Sequence, residues 1–163
     1  MTDAIVQWLL SAGEGEFLAA VLISMLPVIE LRGGLPAGVA MGLPLRDAFL
    51  AALLGNLLPV PFIILFARRG FAWVRVHIPR LGRWVDRIER KAWSKSDKVV
   101  HYQAWGLLLF VAVPLPGTGA WTGALIAALL DLRLKLAVPA ITAGVFLAGI
   151  IISLLTHGAA ALL

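Results

Sequence analysis

The chain has 163 residues, 61% of them hydrophobic and only 14% charged, with a mean hydropathy of +0.94. Soluble domains run at about 45–50% apolar and about 25% charged, so a soluble enzyme is excluded and an integral membrane protein is expected. The formal charge of +5 is concentrated in one segment of an otherwise lipid-like chain, which fits a positive-inside topology rather than a nucleic-acid partner.

Residues 1–16, MTDAIVQWLLSAGEGE, place Ile5, Val6, Trp8, Leu9 and Leu10 among Asp3, Glu14 and Glu16. The stretch is too short to cross a bilayer, which takes about 20 apolar residues, and predicts an interfacial helix ended by Gly13 and Gly15. With Asp3 and no basic run at the start, it does not have the pattern of a secretory signal.

Residues 17–29 are apolar but reach only about 20 Å as a helix, short of a hydrocarbon core of about 30 Å. ELRGGLP at 30–36 follows, then a second short apolar arm that ends at 45. Two half-length arms around a Gly/Pro break predict a re-entrant hairpin with Glu30, Arg32, Gly33 and Gly34 at its tip. The alternative is one tilted span from Phe17 that surfaces at Glu30. Arg46 and Asp47 then mark an interface, and residues 48–67 are uncharged throughout and long enough to cross, with Asn56 in mid-span and Pro59 and Pro61 after it.

Residues 68–103 change character. Arg68, Arg69, Arg75, Arg80, Arg83, Arg87, Arg90, Lys91, Lys95 and Lys98 face only Asp86, Glu89 and Asp97. From Pro79 onward, Leu81, Trp84, Val85, Ile88 and Ala92 recur at helical spacing, which predicts a basic amphipathic helix on the cytoplasmic membrane face. Such an arm sets topology, and it can also meet anionic lipid head groups.

Residues 104–130 carry no charge, yet Pro114-Leu115-Pro116-Gly117-Thr118-Gly119 interrupts them near the centre. No helix passes through that string, so a second re-entrant hairpin is predicted. Asp131, Arg133 and Lys135 mark the next interface, and residues 136–157 form a second full span with Ala140, Gly144 and Ala148 on one face.

The two halves repeat one order of parts: half-span, break, half-span, charged cluster, full span. ELRGG at 30–34 corresponds to PLPGT at 114–118, Arg46-Asp47 to the cluster at 131–135, and Gly55 to Gly144. With the basic arm inside, the first hairpin enters from outside and the second from the cytoplasm. The expected architecture is an all-α integral membrane protein with an inverted-topology repeat, each half a re-entrant hairpin plus a full transmembrane helix, with the basic interfacial helix between them. In sequence this divides as 1–16, 17–67, 68–103 and 104–163, within a single membrane domain. The two hairpin tips are expected to face each other across a wet cavity.

ELRGGLP at 30–36, Gly55-Asn56, and VPLPGTGAWTG at 113–123 resemble the signature stretches of the small multidrug export family, bacterial membrane proteins distantly similar to the DedA-type proteins. The resemblance covers nearly the whole chain. It implies paired re-entrant hairpins and transport across the bacterial cytoplasmic membrane. The DedA-type relatives further imply translocation of undecaprenyl phosphate, although the second hairpin here lacks the arginine of the DedA pattern.

Glu30 and Arg32 are the leading candidates for chemistry. An arginine at mid-bilayer costs about 2.5–3.5 kcal/mol on insertion scales, and a neighbouring carboxylate offsets much of that. Glu30 would couple protons and Arg32 would hold an anionic group; the competing role is a structural ion pair. Amides around Gly33, Gly34, Gly117, Thr118 and Gly119, beside Pro116, would add positive potential at half-helix N-termini. Thr118 could donate to substrate or close its own turn, and Asn56 could bind substrate or satisfy a hairpin carbonyl. The sequence has no metal-ligand spacing, no nucleotide loop and no catalytic triad pattern, so no cofactor and no enzyme activity are expected. Partners are membrane lipids, a small amphipathic or lipid-phosphate substrate, and a second copy as a homodimer. The rival function is a non-transporting scaffold.

Overall fold

The computed structural model describes residues 14–78, 82, 83, 86, 99–115 and 117–160. These form α1 (Glu14–Ser24), α2 (Glu30–Ala40), α3 (Leu45–Leu57), α4 (Val60–His77), α5 (Val99–Ala112), α6 (Ala120–Leu129) and α7 (Leu134–Ala160), with no strand among the described residues. The chain divides into two compact units, one of Met1–Pro59 with Val145–Leu163, the other of Val60–Gly144. The boundaries fall at the α3/α4 break and inside α7, so each long span contributes to both units.

In the first unit α1, α2 and α3 pack against one another. Met25–Ile29 forms the turn between α1 and α2: Pro27 has no N–H to continue α1 and biases Leu26 away from helical geometry. The two helices then run antiparallel at very short range. A methyl added at Gly34 would lie 1.7 Å from Ser24 Oγ, and one at Gly55 would lie 2.1 Å from the Val21 carbonyl oxygen. Ser24 is fully buried between them and donates to the Ala20 carbonyl at 2.7 Å. Small residues therefore do here what bulk does in a soluble core, bringing backbones into contact. The C-terminal part of α7 completes the unit: Gly149 lies against the Phe49 ring and Leu31, and Phe146 meets Phe49 edge to face at 5.6 Å between centroids.

In the second unit α6 packs against α4 and α5. The α5–α6 turn spans 113–119, with Gly117 and Gly119 both at positive φ. Gly144, on the first half of α7, presses on the Leu108 carbonyl and on Val111 of α5. Arg68, on α4, donates to the Leu132 carbonyl just past the end of α6 and pairs with Asp131 at 3.4 Å.

The local geometry of α2–α3 recurs in α6–α7 at a constant offset of 89 residues. Leu43 N–H bonds Gly38 O at 3.0 Å, and Leu132 N–H bonds Ala127 O at 2.9 Å. Each closes its helix in a Schellman arrangement, with Gly42 (φ 99°) or Asp131 (φ 47°) as the left-handed residue. Ala48 N–H to Pro44 O at 3.0 Å and Ala137 N–H to Arg133 O at 2.9 Å then start the next helix in the same way. Gly55 and Gly144 both rest on the first helix of their unit, at Val21 and Ser24 or at Leu108 and Val111.

Three expectations need correction. The first break is not at ELRGGLP but at Met25–Ile29; Gly33, Gly34 and Pro36 lie inside α2, where close packing compensates the low helix propensity of glycine. In the recurring register, 30–34 therefore corresponds to 119–123 rather than to 114–118. Gly15 does not end the N-terminal segment but lies in the first turn of α1; residues 1–13 are outside the described residues, as is most of the predicted amphipathic helix after Pro79. The part of the arm nearest the span, Arg68 to His77, is continuous with α4.

Two stretches are long and apolar enough to cross a membrane: Leu45–His77, over 33 residues with the turn at Leu58–Pro59, and Leu134–Thr156, over 23. Only 33% of each hydrophobic window is buried, unlike the core helix of a soluble protein, and Phe62, Phe66, Leu154 and Leu155 point outward. α1, α2 and α6, with 11, 11 and 10 residues, reach only about 15–17 Å, half a hydrocarbon core.

Candidate functional site

Polar groups buried within the helices concentrate in the first unit. Ser24, Glu30 and Asn56 are the buried polar side chains among the described residues, and all three belong there. The positions 89 residues beyond Glu30, Arg32 and Asn56 hold Gly119, Trp121 and Val145. The repeated backbone thus carries chemistry in one copy and apolar or small residues in the other.

Glu30 opens α2 in the left-handed conformation, at φ 51°, and the residue is 5% exposed. For a residue with a Cβ this costs about 1–2 kcal/mol, so the surrounding packing holds the carboxyl where it is. Its N–H bonds the Leu26 carbonyl at 2.9 Å across the Met25–Ile29 turn. Arg32, two residues on, is partly buried, and the Glu30 charge acts on its guanidinium. Pro36 cannot donate to the Arg32 carbonyl, which loosens the α2 ladder beside this pair.

α2 and α3 run antiparallel, with a register fixed by Gly38 against Ala48: a methyl on Gly38 would lie 3.0 Å from the Ala48 Cβ. On α2 the stripe Glu30, Gly34, Gly38 recurs every four residues, and on α3 the stripe is Ala48, Ala52, Asn56; all six are buried. At equal rise along two antiparallel helices, the register from Gly38 opposite Ala48 puts Glu30 and Asn56 at the same height. Asn56 is 2% exposed, and its Oδ1 has no hydrogen-bond partner. Asn56 sits one residue after the close-packed Gly55 and two residues before the α3/α4 break at Leu58–Pro59.

Glu30, Arg32, Gly33, Gly34 and Asn56 therefore belong to one unit, whereas Gly117, Thr118 and Gly119 belong to the other; Pro116 is outside the described residues. The Gly33 amide is not available to an anion, because it bonds the Ile29 carbonyl at 3.0 Å, and Gly34 serves helix contact. The Thr118 amide bonds the Leu115 carbonyl at 3.2 Å. The Thr118 hydroxyl oxygen lies 2.8 Å from the Val113 and Leu115 carbonyls, to either of which it donates, and accepts from Leu115 N–H at 3.3 Å. Thr118 thus closes its own turn. Sequence reasoning missed Ser24, a lone hydroxyl in an apolar run whose importance arises only where two glycines meet it.

An all-helical chain with two membrane-length apolar helices, and with a buried carboxyl heading a helix too short to cross, is a helical membrane protein. The sequence model of the family described as "Putative small multi-drug export protein" matches residues 30–151, well over half of the chain, and the chain belongs to that family. The matched segment opens on Glu30, just after the Met25–Ile29 turn, and takes in the turn that ends at Gly119. Nothing matches among curated proteins or among solved structures.

Proposed function

We propose that the protein is a proton-coupled exporter that moves a small amphipathic substrate across the cytoplasmic membrane, with Glu30 as the coupling carboxyl and Arg32 as its ionic partner. The observation that carries this reading is Glu30 itself, an acidic residue 5% exposed at the turn end of a helix too short to cross. Ionisable groups at membrane depth are costly and mark proton or substrate paths. Family membership supports export as the activity. In this reading α1–α2 and α5–α6 are re-entrant hairpins. A single crossing, Leu45–His77, separates them, so they enter from opposite faces and the repeat is inverted. Arg68, Arg69 and Arg75 lie in the last part of that crossing, at its cytoplasmic end.

The test is transport into proteoliposomes of a lipophilic cationic dye, with labelled polyprenyl phosphate in a parallel arm, each with and without a pH gradient. The expected result is gradient-driven dye flux that Glu30→Gln abolishes and Arg32→Ala reduces. Polyprenyl phosphate flux that needs Arg32 but survives Glu30→Gln would move the assignment to an anionic lipid. If neither probe moves in the folded wild type, the export reading is wrong.

A further inference from the structure

We propose that Asn56 is the acceptor that holds the proton on Glu30, so that the coupling site is a carboxyl–carboxamide pair closing the α2–α3 seam rather than a lone carboxyl. The inference rests on the proton-coupling reading above and adds the residue that makes the protonated state stable. An ionised carboxylate only accepts hydrogen bonds, and its natural partner is a cation such as Arg32. Once protonated it becomes a donor and needs an acceptor. A buried amide oxygen without a donor costs about 1–3 kcal/mol; Asn56 Oδ1 is such an oxygen, on the α3 residue that equal helical rise from the Gly38–Ala48 contact puts at the height of Glu30. Glu30 can therefore exchange partners: the Arg32 guanidinium when charged, the Asn56 carboxamide when neutral. Neutralising the carboxyl weakens its hold on Arg32, which gives proton binding a mechanical consequence at the turn end of α2.

The elements packed around the pair hold few competing groups. Arg32 shares α2 with Glu30. α1 carries Glu14 and Glu16, and α3 carries Arg46 and Asp47, all at the helix ends remote from the Met25–Ile29 turn. The part of α7 in this unit carries His157, near its C-terminal end. The positions 89 residues beyond Glu30 and Asn56, Gly119 and Val145, have neither the donor nor the acceptor.

The test is infrared difference spectroscopy of the full chain in lipid, following the protonated-carboxyl C=O stretch against pH and assigning the Glu30 band by its loss in Glu30→Gln. Asn56→Leu, close in shape, should shift that band to higher frequency as its hydrogen bond is lost. Asn56→Asp should place two carboxyls in one seam and raise the midpoint of the first protonation by more than one pH unit, since two adjacent carboxylates cannot both stay ionised. If the Glu30 band titrates but neither substitution moves its frequency or midpoint, Asn56 is not its acceptor and only this inference falls. If no Glu30 band appears at any pH in folded protein, the proton-coupling reading falls with it. Should Asn56→Asp fail to fold, Asn56→Leu decides alone.

Discussion

Gly34→Ala tests whether backbone proximity holds the first unit together. The new methyl would lie 1.7 Å from Ser24 Oγ and 2.9 Å from Ser24 Cβ, against an ordinary contact distance of 3.4 Å or more. Turning the hydroxyl aside removes only the shorter clash and breaks its 2.7 Å bond to the Ala20 carbonyl. Retreat of α1 is opposed from the other side, where Gly55 already presses on Val21 and Ser24. The helices must part, and overpacking of this kind costs about 1–3 kcal/mol, with the upper end expected here. The assay is reversible unfolding of purified protein in mixed micelles, run as a double-mutant cycle with Ser24→Gly. Ser24→Gly alone should cost about 1 kcal/mol from helix propensity and the lost bond. In that background Gly34→Ala should cost little, giving a coupling energy of about 2 kcal/mol. A Gly34→Ala protein as stable as wild type, or one equally destabilised with and without the Ser24 side chain, would refute the seam.

Other expectations follow from single observations. At a pH where Glu30 is ionised, Asn56→Leu should leave unfolding stability unchanged or raise it by about 1–3 kcal/mol, since it removes an unsatisfied buried oxygen, while pH-driven flux falls. At φ 51°, Glu30→Asn should be tolerated far better in thermal unfolding than the β-branched Glu30→Val, by about 1–2 kcal/mol, although both abolish coupling. Arg68→Ala should cost about 1–2 kcal/mol through loss of its bond to the Leu132 carbonyl, whereas Asp131→Ala, at an exposed ion-pair partner, should cost under about 1 kcal/mol in the same measurement. Impermeant thiol labelling should reach Met41→Cys from outside intact cells and Arg133→Cys only after permeabilisation; reaction of both from one side would exclude an inverted repeat.

The membrane character and the second turn were legible because composition and the string at 113–119 leave a helix no alternative. The first turn was not. Gly33, Gly34 and Pro36 look like stronger breakers than a lone Pro27, but glycine inside a helix costs only about 1 kcal/mol, and the contact between Gly34 and Ser24 compensates it. That contact joins residues on two helices and leaves no trace in either local sequence. Asn56 was visible as a polar residue in mid-span. Its register with Glu30, and the lack of a partner for its oxygen, emerge only once Gly38 is seen against Ala48.

The division of α7 between units has a consequence for biosynthesis. The unit that holds Glu30 is finished only when residues from Val145 onward arrive to place Gly149 and Phe146 on Leu31 and Phe49. A nascent chain must therefore keep its acidic residue waiting in the bilayer, incompletely shielded, until Phe146 and Gly149 have been added. A chain that stops short of Phe146 would leave the defect at Leu31 and Phe49, far back toward its start.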